Sequence, residues 1–340
     1  MKTLFDYFRG GRAGRGAPAR RPQQARLTVE PLEDRMLMSA SSQAIHAVTD
    51  NHGSAVFYLK NNGFADDGFH EKDSSGVNHW LLGNPNWVQA FSAGVDSYGN
   101  ADVFVTGTDN SMWEFNTNGW RNLYAPESMK EFAAVKGDRV YAVGADNALW
   151  EWSPPVYFGR FHWGGWYQIS GPNTVQFLDA VTQSSGYDAV FAIRQDGSLQ
   201  EYTQGNWQWL AVPNYFNVGY WSFSAGLDAN GNADFFGLSN YNDQLWRWTS
   251  SGGWTALGAP NTVWWVSATT NGQVAFIGMD GFLRKYDASG NLHVLSTTEQ
   301  YTELSGAADN DVYVVTWFGN DTLKERSAGG QWTTWDTNVW

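Results

Sequence analysis

ADVFVTGTDNSMWEFNTNGW, residues 101–120, reads as strand, turn, strand, second turn and the opening of a further strand. Asp102 to Thr106 alternates and is rich in Val and Phe, the pattern of a half-buried strand. Asp109 and Asn110 tolerate positive φ, which a two-residue hairpin turn needs. Met112 to Phe115 is the return strand, 116–119 the second turn, and Trp120 begins the next strand. Upstream, QAFSAG (89–94) is another short apolar strand. The unit is therefore a four-stranded antiparallel meander.

Copies of this unit run to the C-terminus. Its turn pair recurs as Asp146-Asn147, Asp196-Gly197, Asn242-Asp243, Asp280-Gly281 and Asn320-Asp321, and a weaker copy starts at Ala44. Three residues past the first turn residue stands Met112, Leu149, Leu199, Leu245, Leu283 or Leu323, and two further on a charge, Glu114, Glu151, Glu201, Arg247, Lys285 or Glu325. The closing aromatic is Trp80, Trp120, Trp166, Trp207, Trp254 or Trp332, with Leu292 in the sixth copy. Trp80 and Trp332 are six repeats and 252 residues apart, a mean period of 42. Four strands in a repeat of about 40–45 residues are the mark of a propeller blade. The expected fold is all-β, a seven-bladed β-propeller with blades near 44–86, 87–127, 128–173, 174–214, 215–261, 262–299 and 300–340.

Composition fits that reading and excludes several functions. Aromatics make up 16% of the 340 residues, with 20 Trp, so large rings are available to fill the spaces between sheets. There is no cysteine, which removes disulfides, thiolate metal sites and cysteine nucleophiles. Residues 1–40 hold eight Lys/Arg and four Asp/Glu, and removing these from the totals leaves 13 basic and 30 acidic residues in 41–340. An acidic body argues against nucleic acid, whose phosphates demand a basic footprint. No run of about 18 apolar residues is present, so no membrane-spanning helix is expected.

Residues 1–40 read as a disordered basic segment, Gly-, Arg- and Pro-rich at first and without hydrophobic periodicity. LTVEPLEDRMLMS (27–39) within it resembles the N-terminal segment of planctomycete extracellular proteins, whose pattern is LxxEPLEDRxLLS after Arg-rich sequence. The likeness departs mainly at Met38, where Leu is usual. It implies export, with a secreted or cell-surface bacterial protein as the expectation.

Candidate site residues come from three places. Trp113, Trp150 and Trp246 share one hairpin offset and are repeated ligand-binding candidates; packing between blades explains the same positions. SPPVYFGRFHWGG (153–165) is an insertion in the third blade, and its Tyr157, Arg160, His162 and Trp163 place rings beside hydrogen-bonding groups. Such a loop suits a sugar, or covers a blade edge. Finally, DSYGNAD (96–102) and DANGNAD (228–234) repeat the spacing of Asp96, Asp102, Asp228 and Asp234. Turn capping explains the spacing, and calcium is the alternative. No other cofactor is expected.

VFVTGTDNSMWEF (103–115), VYAVGADNALWEW (140–152) and AVFAIRQDGSLQEY (189–202) resemble the repeats of tectonin-type propellers and of the related fucose-binding propeller lectins. The resemblance implies ligand sites at blade rims or between neighbouring blades, often for glycans. Blades one and six lack the Leu-Trp pair, and blade four has Gln200 in place of Trp, so equal sites in every blade are not expected. Neither GxSxG, HExxH nor a phosphate loop occurs, and six histidines are scattered without metal spacing. The sequence thus reads as a carbohydrate-binding chain without enzymatic activity; the alternative is a protein-interaction or structural module of the cell envelope. The expected partner is a glycan or a surface protein.

Overall fold

The computed structural model describes residues 45–60, 68–158, 161–211, 218–239, 242–316, 321–337 and 339. They form seven four-stranded antiparallel sheets, each of consecutive strands in sequence order: a seven-bladed β-propeller. The expected disorder of 1–40 lies outside the described residues. First strands of adjacent blades, such as Val88–Val95 and Met129–Val135, face one another around the centre, and fourth strands lie outermost.

Period-two alternation determines which neighbour each side chain meets. On the second strand of blade two (Ala101–Gly107), Val103 and Val105 join the cluster shared with blade one, whereas Phe104 joins the cluster shared with blade three. Seven such clusters, one per blade boundary, make up the core. Second strands are consequently apolar on both faces; a fully buried Phe or Val there contributes roughly 1.5–3 kcal/mol.

The hairpin turns differ from expectation. Only the second residue of each described pair takes positive φ, as at Asn110, Asn147 and Asp243, with Gly at 197 and 281. Asp109 does not take positive φ, and its Oδ1 accepts the N–H of Ser111 at 3.1 Å. A turn of this kind needs one left-handed residue, with a carboxylate holding the other end.

Serine is the overlooked element of the repeat. Ser92 Oγ accepts the N–H of Ala134 in the next blade at 3.0 Å. Ser224, Ser267 and Ser305 likewise accept from Ala268, Gly306 and Ala47 at 2.9–3.0 Å. Asp179 plays the same part in blade four, accepting from Ala225 at 2.7 Å. These bonds join first strands across blade boundaries around the centre.

The ring closes without strand exchange, since the first and last strands belong to different sheets. Trp335 packs against the Ile45–Tyr58 and Tyr313–Leu323 side chains of the closing cluster, with Val339 fully buried there. The ammonium of Lys72 donates to the Trp335 carbonyl at 2.6 Å and lies 5.1 Å from its ring centre. Tyr58 and Lys60 reach Asp336 at 2.6 and 3.2 Å. Trp340, the last residue of the sequence, lies outside the described residues.

Candidate functional site

The two aspartate-rich turns share one construction. Asp96 Oδ1 accepts the N–H groups of Tyr98 and Asn100, each at 2.8 Å, and its Oδ2 takes the Asn100 amide. Asp228 repeats all three bonds with Asn230 and Asn232. Glycine follows because Gly99 and Gly231 take φ of +87° and +75°. Burial pushes the Asp228 carboxyl up, but the Asn232 and Asn230 bonds outweigh it and leave its pKa below the ordinary value. Asp96 and Asp228 thus act as caps.

Asp102 and Asp234, the other two aspartates, lie at the start of the second strands, on the face turned toward the following blade, and neither is exposed. Strand register sets Phe236 opposite Arg247 in blade five and Phe104 opposite Glu114 in blade two. In blade five, Arg247 donates through Nε and Nη2 to Asp234 Oδ2 at 3.0 and 2.6 Å. Burial raises the Asp234 carboxyl to about 6, with Arg247 working against the rise. In blade two the partner is itself an acid. Glu114 is buried, takes the Arg121 guanidinium on Oε2 and takes Asn116 Nδ2 on Oε1. Asp102 accepts no hydrogen bond on either oxygen from any described residue. From the third blade's first turn, Asp138 brings a third carboxylate, and ligand atoms of Asp102, Glu114 and Asp138 lie within 4.8 Å of one another. Burial raises the Asp102 carboxyl well above its usual range, and Glu114, Asp138 and Asp96 add to the rise. Glu114 and Asp138 are also raised, chiefly by burial.

Between blades five and six the surface opens into a cleft of about 340 Å³. Arg247 lies in its wall beside Asn230, Thr249, Ser251, Thr255 and Ser289, with Leu257 the largest apolar contributor. Arg247 also donates through Nη1 to the Ala288 carbonyl at 2.9 Å, so it is fixed from both sides.

The other candidates are dispersed. Trp113, Trp150 and Trp246 are half-buried in three different blades. The Trp113 indole N–H donates to Ser111 Oγ and that of Trp150 to Glu127 Oε1, both at 2.9 Å, while Trp246 packs on the boundary of blades four and five. The third-blade insertion forms a hairpin extension in which Tyr157 pairs with His162 and Val156 with Trp163, while Arg160 lies outside the described residues. Among the exposed aromatics that the repeat pattern did not single out, Trp209 is 59% exposed, with the Arg194 guanidinium 5.5 Å from its ring centre. Register sets it opposite Gln200, where blades two, three and five carry Trp113, Trp150 and Trp246. That pairing was readable from the substitution at position 200.

Neither a search of protein-family models nor one of curated proteins finds a match. Solved structures do match. A puromycin hydrolase aligns at 13% identity and TM-score 0.55, over 87% of this chain and 53% of its own. A structure from a study of two prolyl endopeptidases aligns at 13% and 0.57, over 89% and 51%. Aleuria aurantia lectin in complex with Fucalpha1-6GlcNAc aligns at 15% and 0.43, over 74% and 96%. At these identities the likeness shows the fold. The chain spans about half the length of the two hydrolases.

These matches correct the sequence-based expectation that the chain is not an enzyme: the propellers it overlays form part of hydrolases. Missing linear motifs were a poor ground for that expectation. A ring of blades gathers groups from separate repeats with no local signature, as Asp102, Glu114 and Asp138 demonstrate. Among the described residues no helix is long and apolar enough to cross a membrane.

Proposed function

We propose that this protein is an exported binding propeller that takes a carbohydrate in the cleft between blades five and six. The cleft wall carries the reading: four hydroxyl side chains, one amide, one arginine and the Asp228 carboxylate beside Leu257 and two alanines. Sugar hydroxyls both donate and accept, so Ser, Thr and Asn suit them, and a fixed guanidinium adds donors in a set direction. Arg247 is held by Asp234 and the Ala288 carbonyl before any ligand arrives, which lowers the ordering cost of binding. A volume near 340 Å³ is at the small end of ligand sites and suits one or two sugar rings. Export rests on LTVEPLEDRMLMS and is tested by locating the tagged full-length protein in its host.

The full-length protein on a broad glycan array is the direct test. Binding is expected, and Thr255→Trp, which fills the cleft from an outer strand, is expected to remove it without lowering thermal stability. Binding unaffected by Thr255→Trp but lost in Trp150→Ala would move the site to the half-buried tryptophans. A blank array from folded protein would overturn the carbohydrate reading.

A further inference from the structure

We infer that Asp102, Glu114 and Asp138 form a binding site for calcium at the boundary of blades two and three, distinct from the proposed carbohydrate cleft and independent of it.

The repeat itself supplies the control. Register aligns Asp102 with Arg139 in blade three, Asp234 in blade five and Asp311 in blade seven, and Glu114 with Glu151, Arg247 and Glu325. In blade three, Arg139 forms an ion pair with Asp188 of the next blade at 2.7 Å. In blade five, Arg247 neutralises Asp234. Blade seven has two acids, as blade two does, but each has a donor: the Ala328 N–H reaches Asp311 at 2.7 Å and the Trp335 indole reaches Glu325 at 2.6 Å. Blade two alone of these four leaves a fully buried carboxylate, Asp102, with both oxygens unpaired by any described residue. Such a carboxylate, facing two more, is costly unless something positive joins it.

Arg121 does not fill that role, because its guanidinium is committed to Glu114 and lies over the Trp152 ring at 4.8 Å. Asn116 donates to the same glutamate, and Asp96 adds further negative charge nearby. Three carboxyl groups face one arginine, so the site holds more acids than cations. Calcium prefers such hard oxygen donors, at about 2.3–2.6 Å, so oxygens on opposite sides of one ion stand roughly 4.8 Å apart. The spacing of the three carboxylates is within that limit. Glycine at position 94 keeps a side chain away from the carboxylate: a Cβ there would lie 3.0 Å from Asp102 Oδ1, 3.0 Å from Ala134 Cβ and 3.1 Å from the Val135 carbonyl oxygen. Asp138 is half-buried on a turn, where Ser97 also donates to it, so it is the most accessible of the three carboxylates.

The test uses the full-length protein stripped with EDTA and desalted, with calcium chloride and terbium chloride as probes. Calcium at about 1 mM is expected to raise the melting temperature by several degrees. Terbium is expected to show tryptophan-sensitised emission that calcium displaces, Trp152 being the nearby donor. Asp102→Asn should abolish both responses and raise the melting temperature in EDTA, whereas Asp234→Asn should leave both responses intact. Should Asp102→Asn fail to fold, Asp138→Asn on the turn removes a ligand at a partly exposed position and is expected to weaken calcium binding at least tenfold. No calcium response in the parent protein, or one unchanged in Asp102→Asn and Asp138→Asn, would overturn the assignment. A melting temperature that rises on acidification but not with calcium would also overturn it, in favour of a shared proton.

Discussion

Blades two and five begin their second strands almost identically, DSYGNADVF against DANGNADFF, yet they bury opposite electrostatic problems. Both turns are capped by an aspartate through the same three bonds, and both then send a second aspartate into the following boundary. Blade five meets that aspartate with Arg247 from the adjacent strand; blade two meets it with Glu114. One side chain two strands from the turn decides whether the second aspartate is a structural ion pair or an uncompensated charge. A repeated motif therefore does not imply a repeated role.

The comparison breaks most visibly at Arg247. Arg247→Ala leaves Asp234 buried without its partner and is expected to cost about 3–5 kcal/mol in urea unfolding. A loss below about 1 kcal/mol would mean that the pair is not what holds this boundary.

Asp179 extends the comparison to a half-buried acid satisfied by two N–H groups and a hydroxyl. Burial raises its carboxyl to about 6, against hydrogen bonds from Ala225, Ala180 and Ser224. A raised folded-state value means that the native protein holds the proton more tightly than the unfolded chain. This group's contribution is therefore full below about pH 4 and is lost as pH rises through about 6. Asp179→Asn is expected to flatten the fall in stability between those limits, measured by urea unfolding at half-unit steps.

The same substitution at the two equivalent aspartates sharpens the contrast. In EDTA, Asp102→Asn is expected to stabilise by about 1–3 kcal/mol and Asp234→Asn to destabilise by a similar amount, since one removes repulsion and the other a charge-assisted pair. Equal signs in differential scanning calorimetry would erase the distinction. The smallest expected effect is at the central ring of bonds. Ser224→Ala removes one acceptor for the Ala268 N–H and should cost about 1 kcal/mol, a modest drop in melting temperature.

The fold was legible because it rests on local rules that repeat. Turn pairs, alternating Val and Phe, and a Trp every 42 residues or so each follow from period-two burial and turn geometry, and seven copies reinforce one another. The site was only half legible. Asp102 and Asp234 stood out by spacing with Asp96 and Asp228, but the folded chain pairs them with Glu114 and Arg247, which read in sequence merely as a recurring charge. Asp138 gave no signal, because its meeting with Asp102 depends on how the third blade's turn lies against the second blade. Ser92 and its counterparts were hidden for the same reason: a serine in an apolar strand shows nothing of the backbone it will reach in the next blade. The expectation about enzymatic activity failed by relying on linear motifs in a fold that assembles its groups across repeats.

Every blade is one uninterrupted length of chain, and the seam between the last and first blades is made of side-chain contacts like any other boundary. The hydrogen-bonded sheets are equivalent around the ring, since no blade borrows a strand from another. The ring has, in effect, seven interchangeable places to be cut. Moving the termini to the connection between blades three and four, near Gly171, would keep all seven sheets whole, and a linker across the present seam would turn that seam into an ordinary joint.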